Sequence, residues 1–262
     1  MPTVSYETMK AFEGVDEFEN RIVAFIDVMG MKNRLASVTR PDELRWYATI
    51  MNMFAHQPFA EGKLHVTMFS DCMYIVTERQ YIDQIICLLA NFSFRLLNNN
   101  VPEIIVHRDG SHHTINHFDC FKLRGGITYG NVFMLDEEAK KRCITLNSNI
   151  LLGKAVMDAY ELESTKAVYP RIIVDDHFLS LMEEMGKTPG QYFLVQENGQ
   201  CYLDFLDYMC QGKRTGSGLL YSIEHWISYV EDEIKSALVT KNAKLVGQLL
   251  WYKEYLQKHM IT

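Results

Sequence analysis

The sequence has little of what marks a secreted, membrane-embedded or nucleic-acid-coating protein. Its six cysteines, Cys72, Cys87, Cys120, Cys143, Cys201 and Cys210, are scattered through 262 residues without a C-x-x-C pair. That spacing excludes a disulfide framework and a zinc ribbon and suits a reducing compartment. No stretch approaches the roughly 18 uninterrupted apolar residues of a membrane span. Residues 1–20 mix acidic and polar side chains and lack the basic start and apolar core of a secretory signal, so the expectation is a cytoplasmic protein without membrane attachment. Basic residues are in the minority: 26 Lys and Arg face 33 Asp and Glu, for a net charge of −7. Broad electrostatic binding to nucleic acid or anionic lipid is therefore disfavoured, whereas a polyanionic small molecule could still bind locally. No internal repeat or low-complexity tract is found. What is present is an ordinary globular composition, 48% apolar and 23% charged, in a chain long enough to bury a core without disulfides or structural metal.

The pattern of apolar residues sets the organisation. From Arg21, RIVAFIDVMGMKNRLASV reads as strand, tight turn at Gly30, then helix, and DELRWYATIMNMFAHQPF follows as a second helix with Asp42 at its N-cap and Pro58 as its stop. KLHVTMFSDCMYIVTE holds two β-rich runs, Leu64 to Phe69 and Cys72 to Thr77, that predict a hairpin turning at Asp71. A buried helix is expected over Tyr81 to Leu97. PEIIVHRDGSHHTINHFDC is either loop or a peripheral strand pair. FKLRGGITYGNVFML is a strand whose Gly125, Gly126 and Gly130 permit close approach of backbone or ligand. A helix after Gly153 and a short strand entered through Pro170 complete the order β-α-α-β-β-α-β-α-β from Arg21 to Asp176. That order predicts an α+β, ferredoxin-like (split βαβ) sheet. QYFLVQENGQCYLDFLDYM reads as a hairpin turning at Asn198-Gly199. The Gly-rich stretch 212–218 is a linker into two amphipathic helices that meet near Thr240 to Asn242. The expected division is 1–20 as an N-terminal segment, 21–211 as the main domain and 212–262 as a helical C-terminal extension.

Asp27 and Asp71 are the sharpest pair in the chain. One ends an apolar strand just before a glycine turn, the other sits at the tip of the next hairpin, and a split βαβ sheet makes those strands neighbours. Two hard oxygen anions beside a helix start suit Mg²⁺ or Mn²⁺ and a triphosphate, with N–H groups near Met29, Gly30 and Met31 available to phosphate oxygens. The plainer use makes Asp27 a helix cap and Asp71 a turn residue.

Four collinear segments resemble one family. F-I-D-V-M-G at Phe25 to Gly30 is similar to the F-x-D-I-x-G-F motif of class III nucleotidyl cyclases, and F-S-D at Phe69 to Asp71 resembles their second metal-binding hairpin. L-R-G-G-I-T-Y-G at Leu123 to Gly130 resembles their R-x-G-I-x-x-G strand, and G-K-A-V-M-D-A-Y-E-L-E at Gly153 to Glu163, followed by P-R-I-I-V-D, resembles their final helix and strand. The resemblance implies attack of a ribose 3′-hydroxyl on the α-phosphorus with loss of pyrophosphate. It also implies two Mn²⁺ or Mg²⁺ ions per site, held by Asp27, the Val28 carbonyl and Asp71, and a head-to-tail homodimer whose two copies complete each site.

The departures matter as much. The family's helix carries an Asn and an Arg where this chain has Met157 and Glu161, and a carboxylate cannot replace a guanidinium. Arg124, Lys154, Lys166 and Arg171 are the candidate substitutes, each with an ordinary surface or sheet-edge role as its alternative; Arg124 and Arg171 are taken as catalytic and Lys154 as nucleotide-binding. Adenylate cyclases read the base with a Lys and an Asp whose equivalents here are Thr67 and Ile150. Loss of those matched polar groups, together with A-Y-E-L-E and Y-P-R-I, brings the chain nearer to the pyrimidine cyclases of bacterial anti-phage defence. That branch makes cyclic UMP or cyclic CMP, which activates a separate effector protein. The resemblance thus implies a nucleoside triphosphate substrate, UTP before CTP, and no nucleic-acid or membrane partner. The rival readings are a degenerate domain that senses nucleotide and a palm-type nucleotidyltransferase, the latter disfavoured by the acidic balance.

Other groups carry less. His107, His112, His113 and His117 lack ligand partners at metal spacing and suit a solvated loop. Cys72 could be a nucleophile or a small buried residue, and the 14 methionines fill core gaps. Trp226, Tyr229 and Trp251 could face a partner or pack on their own domain.

Overall fold

The residues described by the computed structural model are 19–39, 41, 44–45, 47–49, 62–97, 102–106, 112–116, 121–134, 150–211 and 223–260. The expected helix cap at Asp42, the stop at Pro58 and the linker 212–218 lie outside them.

Strand β1 (Glu19–Met29) is the axis of the structure because its five residues Ile22 to Ile26 are apolar on both faces, and all five are buried. A strand of this kind needs cover on each side, and each buried Ile or Val side chain contributes roughly 1.5–3 kcal/mol. It runs antiparallel between β3 (Cys72–Thr77) and β6 (Lys122–Met134). With β2 (Leu64–Phe69), β8 (Ile172–Val174), β9 (Leu194–Glu197) and β10 (Gln200–Leu203), the sheet order is β2-β3-β1-β6-β8-β10-β9, and the short β7 (Leu151–Leu152) pairs with the end of β6. β2 and β1 are both antiparallel to β3, so they are parallel strands split by it; β3 and β6 are likewise split by β1. The α+β, split βαβ fold expected from the sequence is the one observed. β4 (Pro102–Val106) and β5 (His112–Asn116) form a separate two-stranded ladder, the peripheral pair of the two alternatives.

Alternation along β1 distributes the cover. Val23 and Phe25 pack with Val76, Val132 and Ala155, Val156 and Ala159 of helix α3 (Lys154–Glu161). Ile22, Ala24 and Ile26 join the larger core with Met31 of the short helix α1 (Met31–Ser37) and with Ile85, Ile86 and Leu89 of helix α2 (Ile82–Leu97). Asn198 and Gly199 both have positive φ, 52° and 74°, which supplies the tight turn of the β9–β10 hairpin.

Two differences from the sequence reading have local causes. Helix α4 (Asp176–Glu184) follows β8 directly because Asp175 Oδ1 accepts the Phe178 N–H at 2.9 Å and starts a helix. The expected second strand of the last hairpin stops at Leu203, and Phe205–Gln211 is helix α5, since Asp204 Oδ1 takes the Asp207 N–H at 3.1 Å.

The terminal helices α6 (Ile223–Val239) and α7 (Ala243–Lys258) pack on the sheet domain. Trp226 sits edge-on to Phe94 of α2, and Trp251 stacks on Tyr169 at 5.3 Å. No helix among the described residues is long and apolar enough to cross a membrane. A buried ion pair fastens the end of α7. His259 Nε2 lies 3.0 Å from Asp204 and its Nδ1 lies 2.8 Å from the Tyr255 carbonyl, so both ring nitrogens face acceptors and the imidazole is held as a cation. Tyr255 donates to Asp204 at 2.8 Å, and Asp207 stands 3.7 Å from the ring. Burial opposes the charged imidazole, but its hydrogen bonds to Asp204 and the Tyr255 carbonyl raise it above the ordinary 6.5. Asp204 is lowered below 3.8 by the same pairing, against its own burial.

This pair is expected to make stability pH-dependent. The contribution of His259 is full below pH 6.5, its ordinary value, and is lost as pH rises through its higher folded value, while that of Asp204 is lost only as pH falls below 3.8. His259→Ala should cost about 3 kcal/mol near pH 5.5 and distinctly less at pH 9 in urea denaturation. An equal loss at both pH values would show that the ring is not charged.

Candidate functional site

The register of the three central strands builds the site. Asp27 lies opposite Cys72 on β3 and opposite Arg124 on β6, so side chains from three strands meet on one face. The β2–β3 turn is tied in by the Val28 N–H, which donates to the Asp71 carbonyl at 3.0 Å, and Ser70 takes a left-handed conformation, φ 55°, to close that turn. One oxygen each of Asp27 and Asp71 and the Cys72 sulfur lie within 4.8 Å of one another. All three residues are half-buried.

This donor set fits a hard divalent cation. Oxygens on opposite sides of such an ion are up to about 4.2 Å apart for bonds of about 2.1 Å, so an adjustment of about half an ångström suffices. Cys72 is no rival ligand: burial, then the neighbouring Asp27, push its thiol up to about 12. It stays protonated, and its single S–H has Asp27 at 3.4 Å and Asp71 at 3.8 Å as alternative acceptors, which also removes the nucleophile reading. Beyond Asp27 the chain turns at Gly30, whose φ of +80° a side chain would strain, and no side chain caps the start of α1 at Met31. Met29, Gly30 and Met31 thus adjoin the carboxylates through the backbone.

Arg124 completes the cluster. Its Nε–H donates to Asp27 Oδ2 at 3.0 Å, and the same nitrogen is 2.6 Å from Glu163 Oε1. Because one N–H is aimed at Asp27, the Glu163 oxygen receives charge but no hydrogen bond, and it is buried without a partner. Burial raises the Glu163 carboxyl above its ordinary range, opposed by the Arg124 charge. Glu163 is the member of this cluster that the sequence reading does not single out. Its signal is a Glu at helical spacing from Ala159 on the inward face, four residues on in a helix that continues through a wide π-type turn at Leu162–Lys166.

The remaining candidates are placed differently. Arg171 is 7% exposed, paired with Glu197 and Gln200 and enclosed by the rings of Tyr169, Tyr202 and Trp251, each 5.3–5.4 Å from its guanidinium carbon. Lys154 is exposed and paired with Asp158. Lys166 is exposed at the end of the wide turn. Thr67 shares a rung with Tyr74 and Phe25, its hydroxyl 3.2 Å from His65 Nε2, and Ile150 is half-buried just ahead of β7. Met157 is 64% exposed and Glu161 is exposed on the outer side of α3. The structure therefore brings Asp27, Asp71 and Arg124 together with the Val28 to Met31 backbone, and it holds the Arg171 guanidinium within the aromatic contacts of α7. His112 and His113 lie on β5, and His107 and His117 fall outside the described residues.

No protein-family model matches the chain and no curated protein matches it. Among solved structures it is similar to the guanylate cyclase domain of RhGC from Catenaria anguillulae in complex with GTP, at 14% identity over 71% of this chain and 95% of that one, TM-score 0.46. It is also similar to a guanylyl cyclase domain of the RhoGC fusion protein from Blastocladiella emersonii (15%, 64% and 86%, TM-score 0.44) and to the adenylyl cyclase CyaB from P. aeruginosa (12%, 71% and 94%, TM-score 0.43).

The site depends on how closely α3 and its continuation approach β6. A Cβ at Gly126 would meet Leu162 Cβ at 2.3 Å and the Ala159 carbonyl at 2.6 Å, backbone and side chain that have no room to yield. Gly126→Ala is expected to lower stability by about 2–3 kcal/mol and the melting temperature by about 5 °C or more. An unchanged melting temperature in calorimetry would show that the helix does not lie against the strand.

Proposed function

We propose that this chain is a metal-dependent nucleotidyl cyclase that converts a pyrimidine triphosphate, UTP ahead of CTP, to the 3′,5′-cyclic monophosphate and pyrophosphate. The observation that carries the reading is the convergence of the Asp27 and Asp71 carboxylates across adjacent strands, clamped by the Val28 N–H to Asp71 carbonyl bond. Asp27, the Val28 carbonyl and Asp71 would hold two Mn²⁺ or Mg²⁺ ions. When bound, these supply charge neutralisation for the triphosphate and a lower pKa for the attacking hydroxyl.

The chain's own residues do the rest. Cys72, protonated, sits between the carboxylates and offers its single S–H to the nearer, Asp27. The backbone at Met29 to Met31 faces the phosphates, and Arg124 is the cation that lies in the carboxylate cluster. It stands in for the guanidinium that the Glu161 position lacks. Half-buried Ile150 and the His65-paired Thr67 leave the base subsite without a charged side chain to read a purine, which supports a pyrimidine. Exposed Phe69, Met157 and Tyr160 lie beside this face and support its closure by a second copy of the chain, head to tail. The cyclic product would act as a second messenger in the cytoplasm for a separate effector protein, in the anti-phage setting that the sequence resemblance implies.

A second reading has its own observation. Met157, exposed where the resemblance expects an Asn, and Glu161, exposed and acidic where it expects the transition-state Arg, favour a nucleotide-binding sensor that has lost turnover.

Purified protein incubated with each of the four ribonucleoside triphosphates and Mn²⁺ is expected to release pyrophosphate and form a cyclic product from UTP. Asp27→Asn and Asp71→Asn should each lower that rate by about a thousandfold. Tight binding of a triphosphate with no pyrophosphate would establish the sensor reading, and cyclic AMP as the sole product would remove the pyrimidine assignment.

A further inference from the structure

Arg124 cannot serve both of its carboxylates at once. Its Nε–H is spent on Asp27, and Glu163 Oε1, at 2.6 Å from the same nitrogen, has no hydrogen-bond donor although the Glu163 side chain is only 4% exposed. A buried carboxylate oxygen without a donor is costly, by more than an exposed one that water would satisfy. Asp27, in contrast, is the carboxylate that faces Asp71, and a cation held by that pair would repel the Arg124 guanidinium, which bonds Asp27 through Oδ2. The two carboxylates thus have complementary needs: Asp27 has a donor that it would give up when a cation arrives, and Glu163 has a buried oxygen, Oε1, that lacks one.

Resting on the cyclase reading, we propose that Glu163 is a positioning residue that takes the Arg124 Nε–H when a divalent cation engages Asp27 and Asp71. Arg124 then remains tethered beside the site through Nε, with its terminal nitrogens available to an anionic substrate. Glu163 acts only through Arg124. No group changes protonation in this exchange; one N–H moves between two acceptors that it already approaches within 3.0 Å. Lys244, at the start of α7, adds a weaker positive influence on Glu163 and does not enter the exchange.

The test is direct Mn²⁺ binding to the full chain, followed by paramagnetic resonance without nucleotide. Glu163→Gln should weaken Mn²⁺ binding about tenfold, because Arg124 stays on Asp27 and competes with the cation. Arg124→Gln should tighten it about threefold, and Arg124→Gln with Glu163→Gln should match Arg124→Gln alone. A Glu163→Gln loss that persists undiminished without Arg124 would mean that Glu163 acts as a bare charge and would overturn the proposal, as would wild-type affinity in Glu163→Gln. If wild type binds Mn²⁺ through Asp27 and cyclises a triphosphate while Glu163→Gln is uncoupled from Arg124, this inference alone fails. If wild type shows no Asp27-dependent Mn²⁺ binding, the cyclase reading falls with it. Should Glu163→Gln not fold, Mg²⁺ titration of the wild-type protein decides: the ¹⁵N resonance of Arg124 Nε, assigned with Arg124→Lys, is expected to move on saturation, and an unmoved resonance overturns the exchange.

Discussion

The bond from the Val28 N–H to the Asp71 carbonyl holds together what electrostatics would separate. Two ionised carboxylates with oxygens within 4.8 Å repel by about 3.5 kcal/mol at an effective dielectric of about 20. A hairpin turn free to swing would relieve that repulsion by moving outward. Here the turn is pinned to the strand that carries Asp27, and β3 is laddered along that strand from Thr77 to Cys72. The core cover of Ile22 to Ile26 sets the energy behind this arrangement, because displacing the turn means unzipping a central strand rather than an edge.

Around the pair, the sheet provides compensating donors of two kinds. Cys72 gives a neutral one that remains neutral because its own surroundings forbid a thiolate. Arg124 gives a charged one, bonded to Asp27 and only ion-paired with Glu163. The same strand carries Lys122, two residues before Arg124, which is buried, paired with Glu233 of α6 and close to the rings of Tyr229 and Tyr252. The C-terminal helices are therefore braced against the strand that presents the guanidinium, and the Arg171 box with Trp251 braces them against the next one. Their aromatic residues Trp226 and Trp251 are occupied in this packing.

Most of the architecture was legible because periodicity is local. The run from Ile22 to Ile26, the Ser70-Asp71 break between two β-rich runs and the Asn198-Gly199 turn each state their own structure. Helices α4 and α5 were missed where a single aspartate, Asp175 or Asp204, turns a strand end into a helix start, a signal too short to outweigh the apolar run before it. In the site, Asp27 and Asp71 could be paired from topology alone, and Arg124 from the register that topology implies. The helical spacing from Ala159 points Glu163 inward, but its contact depends on a helix that widens by one residue after Glu161, and that turn does not follow from composition or spacing. Arg171 illustrates the converse: an arginine at a strand entrance suits phosphate and aromatic rings equally well, and here Tyr169 and Tyr202 flank it while α7 adds the third ring, Trp251.

The separations along the chain carry a consequence for biosynthesis. Asp27 meets Cys72 across 45 residues and Arg124 across 97, and Glu163 joins later still. During translation the first carboxylate therefore emerges long before the strands that orient it, and the cluster assembles only when the central ladder zips as a unit. An abortive fragment ending ahead of β6 would retain both aspartates yet lack the guanidinium that holds Asp27, so the finished pocket waits on that late pairing event.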